Sequence, residues 1–298
     1  MEKYKVWESM RSFSHHLMSQ YEFPMETAAA IVGLNPAECF SVILPAHMFE
    51  PDPISAERLR KRSPYNSPSY YQKPLSSVYE SGYLDLAPEG GYRLNDKGQH
   101  AFVEVMKAAY QTLEEINLFP PDKFKELKKV LGKLIQACII STDQPNKWSI
   151  LHSRRLDPGH EVSPLITVDQ YISDLAAYRD DAHTASWSGY DVSPLAWDIL
   201  NLLWRGLAST FEEITQKANK RGWTNQETTK AVEELNSKGW IDGLALQQEG
   251  KTIREKAERL TDQYFFSPWE NLSSGEFAQL CQILDQFQNI VNDLTNTK

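Results

Sequence analysis

Hydrophobic and polar positions follow the period of an α-helix through the middle of the chain. Between residues 121 and 138 apolar side chains recur every three or four positions, with lysines on the opposite face. This apolar stripe consists of Phe124, Leu127, Val130, Leu131, Leu134, Ile135 and Cys138. The stripe predicts an amphipathic helix that packs on a neighbouring part of the chain or on the same helix of a second subunit.

Two stretches share one order of residue types and predict a repeated unit. Residues 80–99 and 236–252 each carry a glycine, an aromatic residue, an aliphatic residue and an aspartate, followed by a polar run that ends in glycine. Gly82 and Gly239 stand where a helix ends in a left-handed cap, and strand-prone pairs follow them. We expect a small β-hairpin in each copy.

Three helices are predicted upstream of each hairpin. Pro45 is expected to break or end the first helix of the first copy, and Pro74 to kink or delay the third. In the second copy, Thr224 and Glu227 have the spacing of a capping box. The helices are predicted at residues 35–49, 54–62 and 67–82 in the first copy and at residues 193–206, 210–222 and 224–239 in the second. Three helices followed by a hairpin make a winged helix.

The sequence therefore predicts a mainly α-helical fold with small β-ribbons, in which two winged-helix units are joined by a helical middle region. Residues 1–141 would hold the first unit with its flanking helices. Residues 142–164 contain three prolines and a glycine and are predicted to be a connecting loop. Residues 165–298 would hold a helix capped by Thr167, the second unit and terminal helices.

Three runs, YRDDAH, RGWTNQE and EGKTIREKAERLTDQYFFSPWENL, occur in this order within residues 165–287. They resemble a bacterial family of tandem helix-turn-helix proteins, and the pair of units is similar to the MarR-type winged-helix regulators. The resemblance implies this fold and a role in transcription regulation.

The charge distribution differs between the two copies. The chain has 31 basic and 40 acidic residues and a net charge of −9, so a protein that coats nucleic acid through bulk charge is excluded. Residues 56–75, however, contain five basic residues and one acid. Residues 209–240 contain five of each. Only the first copy therefore has the local charge expected of a site for polyanions, and the second is predicted to be structural or dimerising.

The predicted partner of the first copy is double-stranded DNA. In a winged helix the third helix enters the major groove, while helix ends and the wing contact phosphates. The candidate DNA-binding residues are Arg58, Arg60, Lys61, Arg62, Ser67, Ser69, Tyr70, Gln72, Lys73 and Arg93. The competing interpretation is that this basic run is solvated surface.

A second cluster lies at residues 178–187. At helical spacing Arg179, Asp180 and His183 share a face, and Trp187 follows one turn later. Such a face could bind a small molecule or carry out acid–base chemistry at the junction between the halves. The alternative is a cluster that only ties the middle helix to a winged helix.

Other classes of function have little support in the sequence. There is no P-loop, GxGxxG, GxSxG or HExxH motif, and the three cysteines are widely separated, so we expect no enzyme, no cofactor and no metal. No apolar run approaches the roughly 20 residues of a membrane span, and a cytoplasmic protein is predicted. A small-molecule effector and a homodimer are further candidate partners. A protein-interaction scaffold is the remaining alternative.

Overall fold

The computed structural model describes residues 2–116 and 120–296. The first half contains α1 (Glu2–Ile31), α2 (Pro36–Glu38), a π-helical turn (Cys39–Ile43), α3 (Leu44–Phe49), α4 (Ala56–Arg62), α5 (Pro68–Glu80), β1 (Leu84–Leu86), β2 (Tyr92–Leu94), α6 (Asp96–Glu115) and α7 (Pro121–Ile140). The second contains α8 (Trp148–Ser153), α9 (Pro164–Trp187), α10 (Pro194–Trp204), α11 (Phe211–Lys220), α12 (Asn225–Ser237), β3 (Ile241–Asp242), β4 (Ala245–Leu246), α13 (Gln248–Phe266) and α14 (Ser274–Asn296). The mainly α-helical fold with small β-ribbons is confirmed.

The same order of elements occurs twice. Residues 36–94, from α2 to β2, and residues 194–246, from α10 to β4, each place helices before one antiparallel hairpin, and we call them the first and second helix–hairpin units. In the first hairpin Leu84 pairs with Leu94, and in the second Ile241 pairs with Leu246. Gly82 and Gly239, at φ values of 77° and 70°, adopt the left-handed conformation predicted for them.

Pro45 and Pro74 do not end the helices of the first unit in which they lie. The helical path continues from Pro36 to Phe49 because the π-helical turn widens the backbone just before Pro45, and the Leu44 amide donates five residues back to Cys39. The expected end of this helix at Pro45 is therefore wrong, but the break expected there corresponds to the π-helical turn just before Pro45. α5 begins at Pro68 and runs through Pro74, so its predicted late start is wrong as well.

The second unit has the helix starts that its sequence predicts. The Ser193 hydroxyl accepts from the Ala196 amide at the start of α10. Thr224 and Glu227 form the expected capping box at the start of α12. A second capping box, between Thr210 and Glu213, begins α11 and was not predicted.

The helical middle is formed by the first half of α1 together with α7, α9, α14 and the end of α13. The apolar stripe of α7 is buried against α9, α14 and a short 3-10 helix, Pro268–Asn271. The surface that covers the stripe therefore belongs to the same chain. The second half of α1 extends into the core of the first helix–hairpin unit, where Met25 and Ala29 are buried.

The region predicted to be a connecting loop contains regular structure. Residues 142–164 include α8 and the 3-10 helix Arg154–Leu156. α9 begins at Pro164 after Ser163, and Thr167 is buried inside its first turn, so the predicted cap at Thr167 is wrong. The division of the chain into domains at this region stays a prediction.

Within the described residues no single helix is long and apolar enough to cross a membrane. The helices Glu2–Ile31 and Pro36–Phe49 meet that test only as a pair, across a bend of 103°.

Candidate nucleic-acid interface

The arginines at the start and middle of the basic segment bind the chain's own carbonyl groups. Arg58 Nη1 donates to the Pro53 carbonyl at 2.6 Å, and Arg60 Nε donates to the Asn66 carbonyl at 3.2 Å. Both guanidinium groups thus brace the loops on either side of α4. Each still has N–H groups that these bonds do not use.

The last two residues of α4 point in different directions. Lys61 is exposed. Arg62 is half-buried, and its Nη1 lies 3.9 Å from Met48 Sδ. Arg62 also lines two cavities that are partly open to solvent, so its side chain is directed toward these cavities.

The start of α5 is docked against the second helix–hairpin unit. Ser67 is only 2% exposed; its amide donates to the Arg221 carbonyl at 2.9 Å and its hydroxyl to the Gly222 carbonyl at 2.9 Å. The Ser69 hydroxyl donates to the same Gly222 oxygen at 3.1 Å. These two serines therefore hold the two units together.

Tyr65 completes this contact, and we call Tyr65, Ser67, Ser69, Gly222 and Trp223 the unit junction. The Trp223 indole N–H donates to the Tyr65 carbonyl at 2.7 Å. The Trp187 indole N–H, on α9, donates to the Tyr65 hydroxyl at 2.8 Å. Burial raises the pKa of Tyr65, which keeps its hydroxyl neutral. One tyrosine therefore links the first unit to both the second unit and the middle region.

The rest of α5 presents a polar face to solvent. Tyr70, which is 42% exposed, Gln72 and Lys73 lie on this face, whereas Tyr71 is buried. Arg93, on β2, is also exposed and forms an ion pair with Glu89 in the hairpin turn. The exposed members of the predicted DNA-binding set are thus Lys61, Ser69, Tyr70, Gln72, Lys73 and Arg93, of which Ser69 is bonded to Gly222.

α12 presents a comparable face that the charge count did not reveal. Asn225, Gln226, Thr229 and Lys230 are exposed along it. Asn and Gln side chains can bind the edge of adenine through two hydrogen bonds. Because Gly222 lies in the turn before α12, the first turns of α5 and α12 lie close together at the unit junction.

Three of the five acids in residues 209–240 are held at helix starts, whereas Glu212 and Glu233 are exposed. Glu213 and Glu227 close the two capping boxes, and the hydrogen bonds from their caps lower the pKa of both carboxyls. Glu234 accepts from the amide and the hydroxyl of Ser193 at 2.7 and 2.6 Å. On α12 itself the exposed charged side chains are Lys230 and Glu233, which lie one turn apart. The signal in the sequence was the pair Asn225 and Gln226 directly after the cap.

The cluster predicted on α9 contacts several different partners. Arg179 Nη2 donates to Asp262 Oδ1 of α13 at 3.4 Å. Burial lowers the pKa of His183 to about 4, with Arg179 among the smaller causes, so this imidazole is neutral at pH 7. Trp187 bonds to Tyr65. Arg179 and Trp187 thus connect α9 to α13 and to the first helix–hairpin unit.

Asp180 belongs to a different environment. It lines a cavity of about 370 Å³ together with His152, Tyr65 and Tyr70. Among residues 2–116 and 120–296, no three His, Cys, Asp or Glu side chains are grouped so that they could hold a metal ion.

Comparison with known proteins gives one match. Residues 163–296 match the model of a helix-turn-helix family, described as "Helix-turn-helix family". No curated protein and no solved structure matches the chain. The second half of the chain therefore carries a helix-turn-helix domain, the class of domain found in DNA-binding regulators. The resemblance predicted over residues 165–287 is therefore confirmed as that of a helix-turn-helix domain, whereas the tandem MarR-type arrangement stays a prediction.

Proposed function

We propose that the protein is a DNA-binding transcription regulator built from two winged helices of the MarR type. The observation that carries the proposal is the helix-turn-helix match of residues 163–296. The first helix–hairpin unit, with its own exposed helix face and hairpin, extends the same arrangement to the other half of the chain.

The proposed DNA-facing surface lies on the exposed side of α5. Lys61 and Lys73 would contact phosphates, and Tyr70 and Gln72 would face the groove. Arg93 would contact the backbone from the hairpin, as a wing does. Arg58, Arg60 and Arg62 would act mainly by holding α4 in place, since their guanidinium groups contact the protein.

α12 would extend this surface. Its first turn starts beside that of α5, and Asn225, Gln226 and Lys230 are exposed. This assigns the second unit a direct contact in addition to the structural or dimerising role predicted for it. A homodimer and a cytoplasmic location stay predictions.

Binding of the full chain to random-sequence duplex DNA over a salt series tests the proposal. We expect the double substitution Lys61→Ala and Lys73→Ala to weaken binding and to reduce the slope of log affinity against log salt by about 2, since each lost phosphate contact removes roughly 0.9. The matched control is Lys125→Ala with Lys129→Ala, which removes two exposed lysines of α7. Equal slopes for the two double variants, or no binding by the unchanged protein at low salt, would contradict the proposal.

A further inference from the structure

A cavity of about 520 Å³ lies between the first helix–hairpin unit and the helical middle. Its walls come from α1, the π-helical turn, α3, α6 and α9, and Arg62 reaches it from α4. This volume is within the range of sites that enclose small organic molecules.

Most of the cavity wall is apolar and adaptable. Four of the six methionines of the chain, Met18, Met25, Met48 and Met106, line it. Methionine side chains are unbranched and polarisable, so they adjust to apolar ligands of different outline. The wall therefore favours the body of an apolar ligand over a small polar metabolite.

One end of the cavity carries an incompletely bonded carboxylate. Asp169, on α9, accepts a hydrogen bond from the Tyr21 hydroxyl through Oδ2 at 3.1 Å. Its Oδ1 is shielded from solvent and has no hydrogen-bond partner among residues 2–116 and 120–296. A buried carboxylate oxygen without a donor is costly, so a donor delivered by a ligand would be favourable.

The charge of Asp169 indicates which kind of donor would bind best. Burial raises the pKa of Asp169 to about 6, against the opposing effect of the Tyr21 hydrogen bond, so the carboxylate is mostly ionised at neutral pH. A cationic donor would both complete Oδ1 and balance this charge. An anionic ligand would be repelled by the Asp169 carboxylate.

We infer that this cavity is a binding site for an apolar amine, with the ammonium group on Asp169 and the apolar body among the methionines. Tyr21 holds Asp169 in position. The inference does not depend on the proposed DNA binding, because its test contains no DNA.

Calorimetric titration of the full chain with three matched probes tests the site. Naphthylethylamine, naphthylethanol and naphthylacetic acid share an apolar body and differ in the charge of the polar end. At neutral pH we expect the amine to bind at one site per chain and at least about tenfold more tightly than the alcohol or the acid. No binding of the amine, or tightest binding of the acid, would overturn the inference.

Two variants locate the site. Asp169→Asn should make the affinities for the amine and the alcohol about equal. The control Asp122→Asn, at an exposed position, should leave the amine preference unchanged. Ala109→Phe places a ring in the cavity wall and should abolish binding of both probes. Circular dichroism establishes that each variant is folded. Undiminished amine binding in a folded Asp169→Asn or Ala109→Phe variant would overturn the assignment.

Discussion

α5 and α12 occupy equivalent positions in the two helix–hairpin units, yet their first turns are stabilised in different ways. α12 begins with a capping box formed within four consecutive residues, Thr224 to Glu227. α5 begins with Ser67, whose hydroxyl accepts from the Tyr70 amide and also donates to Gly222 of the other unit. Both helix starts thus have a local cap, but only the cap residue of α5 is also bonded to the other unit through its side chain.

The two hairpins also differ, in the length of their strands and in the ion pair of the first turn. The first hairpin has strands of three residues and an ion-paired turn, and the second has strands of two residues around Gly243. The cavity with Asp169 borders the first unit. The two copies of a repeated fold can therefore differ in how their helix starts are stabilised, and stability measurements can separate the two cases.

The largest expected effect comes from Gly222 at the unit junction. Gly222 and Gly239 both have positive φ, at 81° and 70°, so alanine strains the backbone at either position. A Cβ on Gly222 would also lie 2.6 Å from Ser67 Oγ and 3.1 Å from Tyr70 Cβ, whereas one on Gly239 meets nothing within 4 Å. We expect Gly222→Ala to cost about 3 kcal/mol and Gly239→Ala about 1 kcal/mol in urea unfolding. Equal losses of unfolding free energy in the two variants would show that the unit junction accommodates the added methyl group without a penalty, and would contradict this prediction.

A smaller effect distinguishes the two caps. Ser67→Ala removes the cap of α5 and a buried donor to Gly222, and we expect a loss of about 2 kcal/mol. Thr224→Ala removes a cap in an exposed turn, and we expect about 1 kcal/mol. Unfolding in urea, followed by circular dichroism, measures both. If Thr224→Ala cost more, the first unit would not depend on the junction as described.

The smallest effect concerns pH and Asp169. In the unfolded chain this carboxyl titrates near its ordinary value of 3.8, but burial raises its pKa to about 6 in the folded protein. The folded state is therefore penalised above pH 6, and the penalty disappears as pH falls through both values. Asp169→Asn should raise the free energy of unfolding by about 1 kcal/mol at pH 8 and should leave it unchanged at pH 3. The gain at pH 8 is small because water still reaches part of the side chain.

Among the described residues, four other titratable groups line the cavity with Asp169 and could also make the stability of this region depend on pH. They are Tyr21 and Glu22 of α1, Arg62 of α4 and Tyr110 of α6. Burial raises the pKa of both tyrosines, so neither ionises between pH 3 and pH 8. The difference between Asp169→Asn and the unchanged protein isolates Asp169 from Glu22, which both proteins keep. A stability difference that did not shrink on acidification would contradict the buried charge.

Much of the fold could be predicted because it rests on local signals. The glycines after α5 and α12, the Thr224 to Glu227 box and the apolar stripe of α7 each act within a few turns of chain. The DNA-binding set was harder to predict. The hydroxyl groups of Ser67 and Ser69 are suited to phosphate, but in the structure they bind the Gly222 carbonyl at the unit junction.

α8 shows why other elements could not be predicted. Its first turn is capped by Asp181 of α9, whose two carboxylate oxygens accept from the amides of Ser149 and Ile150 at 2.8 and 3.0 Å. The cap and the helix are about thirty residues apart in the chain. Prolines and a glycine in residues 142–164 indicated a loop, and this distant carboxylate satisfies the amides that would otherwise face a buried environment.

The sequence by itself determined the helical periodicity, the repeated helix–hairpin order and the local helix caps, since each depends on residues within a few positions of one another. Only the tertiary structure decided that the starts of α5 and α12 meet, that Arg62 is directed toward two cavities and that Asp169 shares a cavity with four methionines. These features depend on which surfaces the chain brings together, and burial then changes both the hydrogen-bond partners and the pKa of the groups involved.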